Sequence, residues 1–272
     1  MKSARQIAFI SVGIAMILLC VVLIFAKKSM GVLGEGESGS KVFAMPIRSL
    51  VFEAGACEIE ILEGEGTEIL LDFEGLKYGT LVTKQEEEEL RISFKQDTSW
   101  IARLFAQEEE QRITLTVPKD TEFDSVRFEF GAAEINIEGI TAKELALTVG
   151  AGELEADRLT ATESAKLTVG AGSMSAKNVN LTNARLECGV GEMNMSGSFE
   201  GDTNADCGIG AMELVVCGEQ EQYRGEINCG LGKVNLGNIK VKDGTKKFGS
   251  SSADCRMDIK CGIGEVDVRF YN

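Results

Sequence analysis

The 272-residue chain contains no histidine. That absence removes Ser-His-Asp and Cys-His catalysis, histidine metal sites and any imidazole switch near neutral pH. Proline occurs only twice, and aromatic residues make up 6% of the sequence with a single tryptophan. Such scarcity suits regular strands packed by aliphatic side chains. Basic residues are also few, 28 Lys and Arg against 43 Asp and Glu, for a net charge of −15. A body this acidic is repelled by nucleic acid and by anionic lipid, so no nucleic-acid partner is expected. Enough apolar side chains remain, at 44%, to build a core of one or two domains.

Uncharged stretches are short with one exception. Residues 7–26 carry no charge and stand between Lys2 and Arg5 on one side and Lys27 and Lys28 on the other. Twenty apolar residues span a bilayer as a helix. The length and the absence of a small-x-small cleavage site favour a retained anchor over a signal peptide. Leu18-Leu19-Cys20 matches a lipoprotein box only loosely, because a large residue precedes the cysteine and the apolar run continues past it. With a six-residue tail (1–6) left inside, the C-terminal body is expected on the extracellular face. Residues 27–41, rich in Gly, Ser and Glu, read as a flexible stalk.

What the chain has in abundance is glycine, and it is periodic. An apolar-x-apolar-Gly-apolar-Gly pattern recurs with its first glycine at Gly131, Gly150, Gly170, Gly189, Gly208, Gly230 and Gly262, at steps of 19, 20, 19, 19, 22 and 32 residues. Aligned on that glycine, the chemistry falls into columns. One residue before it stand Phe130, Val149, Val169, Cys188, Cys207, Cys229 and Cys261. One after it stand Ala132, Ala151, Ala171, Val190, Ile209, Leu231 and Ile263. Four after it stand Ile135, Leu154, Met174, Met193, Met212, Val234 and Val266. Polar residues fill the alternate positions, so each copy reads as two short strands with one face buried and a tight glycine corner between them. One copy cannot bury its own face, whereas stacked copies can.

The expected fold is therefore all-β: a single-stack β-solenoid of about 19–20-residue rungs (125–272), preceded by a β-rich lead-in (42–124) and one N-terminal transmembrane helix (7–26). An antiparallel sandwich also shows evenly spaced strands, but has no reason to repeat Gly-x-Gly in every copy. Within the lead-in, Leu50 to Ile61 looks like a first, divergent copy of the repeat, and strands are expected at 69–73, 90–94 and 113–117. The longer steps mark insertions near 217–224 and 238–258, the second holding the hairpin signal Lys242-Asp243-Gly244.

Three constellations invite chemistry. The cysteines at the column position before glycine read as small buried apolar residues replacing valine, since one linear column does not supply tetrahedral metal ligation. Cys217 and Cys255, both in insertions, are a better candidate pair for a disulfide. Glu134, Glu153, Ser173, Glu192, Ala211, Lys233 and Glu265 occupy the place of the carboxylate ladder in calcium-binding β-rolls, but an alanine and a lysine interrupt it. Acidic pairs such as Glu153 and Glu155 suggest glycoside cleavage without the focus that a two-carboxylate site needs. No catalytic residue, metal or cofactor is predicted. A further segment, Ser99 to Ala106, places Trp100, Ile101, Leu104 and Phe105 on one face of a short helix. That face would cap the end of the stack, or would bind a partner or the membrane surface; these four are the candidate partner-binding residues.

The run Ile113-Thr114-Leu115-Thr116-Val117-Pro118, then Phe123 and Val126, then the Val-Gly-Ala-Gly strands, resembles a bacterial family labelled "putative adhesin", over roughly residues 42–272. The resemblance implies one membrane anchor, a β-rich repeat domain and, for some members, association with envelope stress; it implies no site residues. The expected function is a membrane-anchored, non-enzymatic scaffold for surface interaction or adhesion, with an envelope protein or surface ligand as partner. A regulatory or sensing component of an envelope-stress system is one alternative, and a carbohydrate-active β-helix enzyme is the other.

Overall fold

The computed structural model describes residues 37–76, 79–96 and 111–271. The expected anchor (7–26) and the segment with Trp100, Ile101, Leu104 and Phe105 lie outside the described residues. Among the described residues, nineteen strands form one continuous sheet. The lead-in supplies β1 (Glu37–Phe43), β2 (Ser49–Ala54), β3 (Glu58–Gly64), β4 (Ile69–Leu76), β5 (Gly79–Glu86), β6 (Glu89–Gln96) and β7 (Arg112–Pro118). The next strands are β8 (Glu122–Phe130), β9 (Glu134–Ile137), β10 (Ile140–Val149), β11 (Glu153–Asp157), β12 (Leu159–Thr182), β13 (Ala184–Glu200) and β14 (Asp202–Cys217). The last are β15 (Tyr223–Cys229), β16 (Lys233–Leu236), β17 (Ile239–Val241), β18 (Gly244–Phe248) and β19 (Cys255–Tyr271). Among the described residues one 3-10 turn, Gln220–Gln222, is the sole helical element, and no helix there is long and apolar enough to cross a membrane.

The fold is all-β and solenoid-like: successive copies pair in parallel and in register. Val149 stands opposite Val169, Val169 opposite Cys188, and Cys188 opposite Cys207. The divergent copy is a genuine rung, with Phe52 opposite Phe128 and Ile59 opposite Ile135. Each column therefore forms a ladder that buries aliphatic groups on both neighbours, at about 25 cal/mol per Å2 of apolar surface removed from water. Phe52, Phe128 and Phe130 pack edge-on or stacked at 5.4–6.4 Å between centroids and fill the wide N-terminal half. Methionine and cysteine ladders fill the other half.

Two features depart from the sequence expectation. The central rungs have three sides, not two. In the rung beginning at Ala165, the first side buries Ala165, Leu167 and Val169, the second Met174 and Ala176, and a short third side Val179 and Leu181. Besides the glycine corner, Asn178 (φ 53°) and Asn183 (φ 50°) make the bends. Asn183 also donates its side-chain amide to the Glu163 carbonyl and accepts from the Asp202 amide, tying three rungs at one corner.

The rungs, moreover, do not stack in chain order. β2 lies between β6 and β8, and β3 between β7 and β9, so the first copy is enclosed by later ones. At the other end β19 pairs with β14 on one side and with β15 and β16 on the other, which slots the copy at Gly262 between those at Gly208 and Gly230. Lys242-Asp243-Gly244 does not close a hairpin between neighbours. It carries the chain from β17, antiparallel to β16, across to β18, antiparallel to β15. Antiparallel strands thus finish the stack at this end, as β5 and β4 do at the other.

Candidate interaction surfaces

The Gly-x-Gly corner is built by direct backbone contact. A Cβ placed on Gly170 would lie 2.5 Å from the Gly150 carbonyl oxygen, and one on Gly210 would lie 1.9 Å from that of Gly191. The second glycine of the later rungs also takes a positive φ: Gly191 at 156°, Gly210 at 155° and Gly264 at 151°. With both flanking positions pressed onto the rung below, the residue between them has nowhere to point but outward. Sequence alternation placed that column with the buried ones; the structure exposes it.

The consequence is an aliphatic ridge. Its side chains grow along the stack from Ala132, Ala151 and Ala171 to Val190, Ile209, Ile263 and Leu231. Val190 stands opposite Ile209 and Ile209 opposite Ile263, and the Leu231 amide donates to the Gly262 carbonyl one rung further on. Their exposures are 40, 46, 50 and 81%. These four supply most of the exposed large aliphatic side chains among the described residues, in one continuous line. Isolated exposed hydrophobes need no explanation, whereas a contiguous row of them marks a contact surface.

Beside the ridge, on the buried side, runs the cysteine column. In space its order is Cys188, Cys207, Cys261, Cys229, and all four are buried and free. A hydrogen bond with Cys188 together with burial pushes the Cys207 thiol up, while the same bond holds the Cys188 thiol down. Burial pushes Cys261 up to about 11. Cys57, at the equivalent corner of the first rung, is pushed up to about 12, again by burial. Burial in an apolar setting thus favours the protonated thiol at Cys57, Cys207 and Cys261. Cys217 and Cys255 are also free, so the sequence-level suggestion of a disulfide between them is not met.

The carboxylate column follows the glycine corner on the outer face of the second side. Glu58, Glu134 and Glu153 stand in register on adjacent rungs. An Arg112–Glu58 ion pair at 2.9 Å flanks one end, and a Lys233–Glu265 pair at 2.5 Å the other. Among the described residues no group of three or more metal-ligating side chains converges. The column is a solvated face whose charge is partly balanced. Sequence reasoning missed the ridge because it treated every apolar column alike. The signal was present all the same: a residue framed by two glycines cannot share their inward contact.

Residues 47–270 match the Toastrack DUF4097 family. No curated protein matches the chain. Among solved structures, a "putative cell adhesion protein" from Clostridium sporogenes is 11% identical, aligned over 86% of this chain and 100% of that one at a TM-score of 0.44. A "putative adhesin" from Bacteroides fragilis is 13% identical over 85% of this chain and 97% of that one, at 0.38. Another from Parabacteroides distasonis is 11% identical over 86% and 98%, at 0.33.

Proposed function

The chain belongs to the Toastrack DUF4097 family, and from that premise we propose that it is a membrane-anchored, non-enzymatic scaffold for surface interaction or adhesion. The observation that carries this reading is the ridge Val190–Ile209–Ile263–Leu231. Fully burying one such side chain stabilises by about 1.5–3 kcal/mol, a gain left unrealised while the ridge faces water. A row of four on a stiff, hydrogen-bonded stack presents that gain to a partner with little ordering cost. The partner is an envelope protein or surface ligand offering an apolar cleft. Residues 7–26 would hold the scaffold to the membrane and residues 27–41 would let it reach outward, with the body on the extracellular face.

Retention of cells on partner-coated surfaces tests the reading, with the full chain, a chain deletion and the double substitution Ile209→Lys, Ile263→Lys compared at equal surface expression. Both positions are half exposed, so the double variant should keep the thermal stability of the parent yet lose most of the adhesion that the deletion removes. Adhesion that survives in the deletion strain would sink the proposal. Position is tested separately by a membrane-impermeant maleimide, which should label the exposed Cys217 on intact cells; labelling only after lysis would place the body inside.

A further inference from the structure

The outer face of the first side carries a second surface of opposite character. A groove of about 530 Å3 crosses six successive rungs there, lined by residues of β6, β2, β8, β10, β12 and β13. At about 4.8 Å per rung it is roughly 25 Å long. Its lining holds four cations, Arg91, Arg127, Lys166 and Arg185, against two carboxylates, Glu89 and Glu144, on a chain whose net charge is −15.

Their spacing is set by register. Val51 stands opposite both Arg91 and Arg127, which are therefore two rungs apart. Ala146 stands opposite Arg127 and Lys166, which are again two rungs apart, and Arg185 follows on the next rung. The cations thus recur at about 10, 10 and 5 Å. Val51 and Ala146 keep the floor low between them, and the Ser49 and Ser125 hydroxyls, hydrogen-bonded at 2.9 Å, edge it.

The geometry points to a binding site for a linear anionic polysaccharide with a carboxylate on every second sugar. Two pyranose rings in an extended chain cover the distance between alternate rungs, so successive carboxylates meet Arg91, Arg127 and Lys166 in turn. The existing pairs are of the kind that exchange readily. Arg91 holds Glu89 at 3.0 Å and Glu53 at 3.6 Å, and Lys166 shares Glu187 with Arg185 at 3.7 Å. Exposed pairs of this sort are worth about 0–1 kcal/mol each. Arg127 makes no ion pair among the described residues. An acidic peptide fits poorly, since side chains on one face of a strand recur at about 7 Å. Single-stranded nucleic acid fits poorly too, because among the described residues no aromatic ring lines the groove for a base to stack on.

This site lies on a different face from the ridge and stands independently of the adhesion reading. Biolayer interferometry with the full chain in detergent micelles tests it against immobilised hyaluronan, polygalacturonate, neutral dextran and oligo-dT. Hyaluronan, with its alternating uronate, should bind, weaken with salt and exceed the other three. Arg127→Glu with Lys166→Glu should weaken it about tenfold or more, while Ile209→Lys with Ile263→Lys leaves it unchanged. Because charge reversal alters the surface broadly, Arg127→Gln with Arg185→Gln is measured beside it and should lower affinity in the same direction. Absence of hyaluronan binding, equal binding to oligo-dT, or groove variants that bind like the parent in a chain with native melting would each overturn the assignment.

Discussion

Replacing Gly264 by alanine is the sharpest test of how the corner is built. Its Cβ would lie 1.9 Å from the Gly210 carbonyl oxygen and 2.9 Å from the carbonyl carbon, against a backbone that cannot swing aside. Reaching ordinary van der Waals contact needs a shift of about 1.5 Å between β19 and β14, enough to break two or three neighbouring backbone hydrogen bonds at about 0.5–1.5 kcal/mol each. The positive φ of 151° adds about 1–3 kcal/mol of strain for a residue with a side chain. The sum, about 2–7 kcal/mol, is a large part of the 5–15 kcal/mol typical of a folded domain. For a body of this size it corresponds to a fall in Tm of roughly 4–28 °C.

Circular dichroism melts and urea titration of the full chain read the effect. Two alanine controls bracket it. At Gly131 a Cβ would sit 3.4 Å from Gly55, ordinary contact, and at Gly66 nothing lies within 4 Å. The expected order of stability is Gly66→Ala near the parent, Gly131→Ala close behind, and Gly264→Ala far below. If Gly264→Ala melts with Gly66→Ala, the rung at 262–264 does not rest on the one at 208–210.

Three further outcomes follow from buried thiols and bent corners. Of the described cysteines, Cys217 should react with Ellman's reagent at once and Cys57, Cys188, Cys207, Cys229 and Cys261 only on unfolding, read as the stepwise release of chromophore; rapid reaction of all would mean an open core. Burial, helped by the Glu58 charge, pushes the Cys57 thiol up from about 9 to about 12, so its contribution is intact below pH 9 and is lost as pH climbs from 9 towards 12. The urea midpoint should therefore fall above pH 9, with a slope of about 1.4 kcal/mol per pH unit from Cys57 alone. Cys57→Val should flatten that limb without lowering stability at pH 7. Asn183→Ala should cost about 2–3 kcal/mol in urea unfolding, through lost bonds to two neighbouring rungs and an alanine forced to positive φ, and Asn183→Gly should cost less.

The columns that seat Leu147, Leu154, Val149 and their counterparts were legible because period-two alternation and a fixed repeat leave few ways to bury them. The divergent first rung was legible for the same reason: Leu50, Phe52, Ile59 and Ile61 keep the alternation although Cys57 replaces the second glycine. The outward turn of Val190, Ile209, Ile263 and Leu231 was not read, since alternation fails at a corner where two glycines take the inward contacts. Nor was the third side, because Val179 and Leu181 sit between two asparagines that look like loop signals until their positive φ shows them to be bends. The intercalation of β19 lies beyond any single-chain pattern. A 32-residue step says that something intervenes before the last copy, but the choice between lying beyond β15 and lying between β14 and β15 is made by pairing energies over long sequence separations. The cationic groove was hidden likewise, as Arg91, Arg127, Lys166 and Arg185 become one row only once the register is known.

The slotting of β19 makes the order of assembly part of the architecture. β15 and β16 cannot take their final place beyond β14 while the stack grows outward one rung at a time, because a strand that comes after them in sequence must lie between. Until it arrives, the edge of β14 that it covers is open along its length, and β15–β18 pair only among themselves. Closure then joins three separate stretches of chain in a single event, with the slow kinetics that contacts so distant in sequence impose. It also means that this end of the stack cannot fray strand by strand: β19 is gripped from both sides, and releasing it requires the cap beyond it to leave as well.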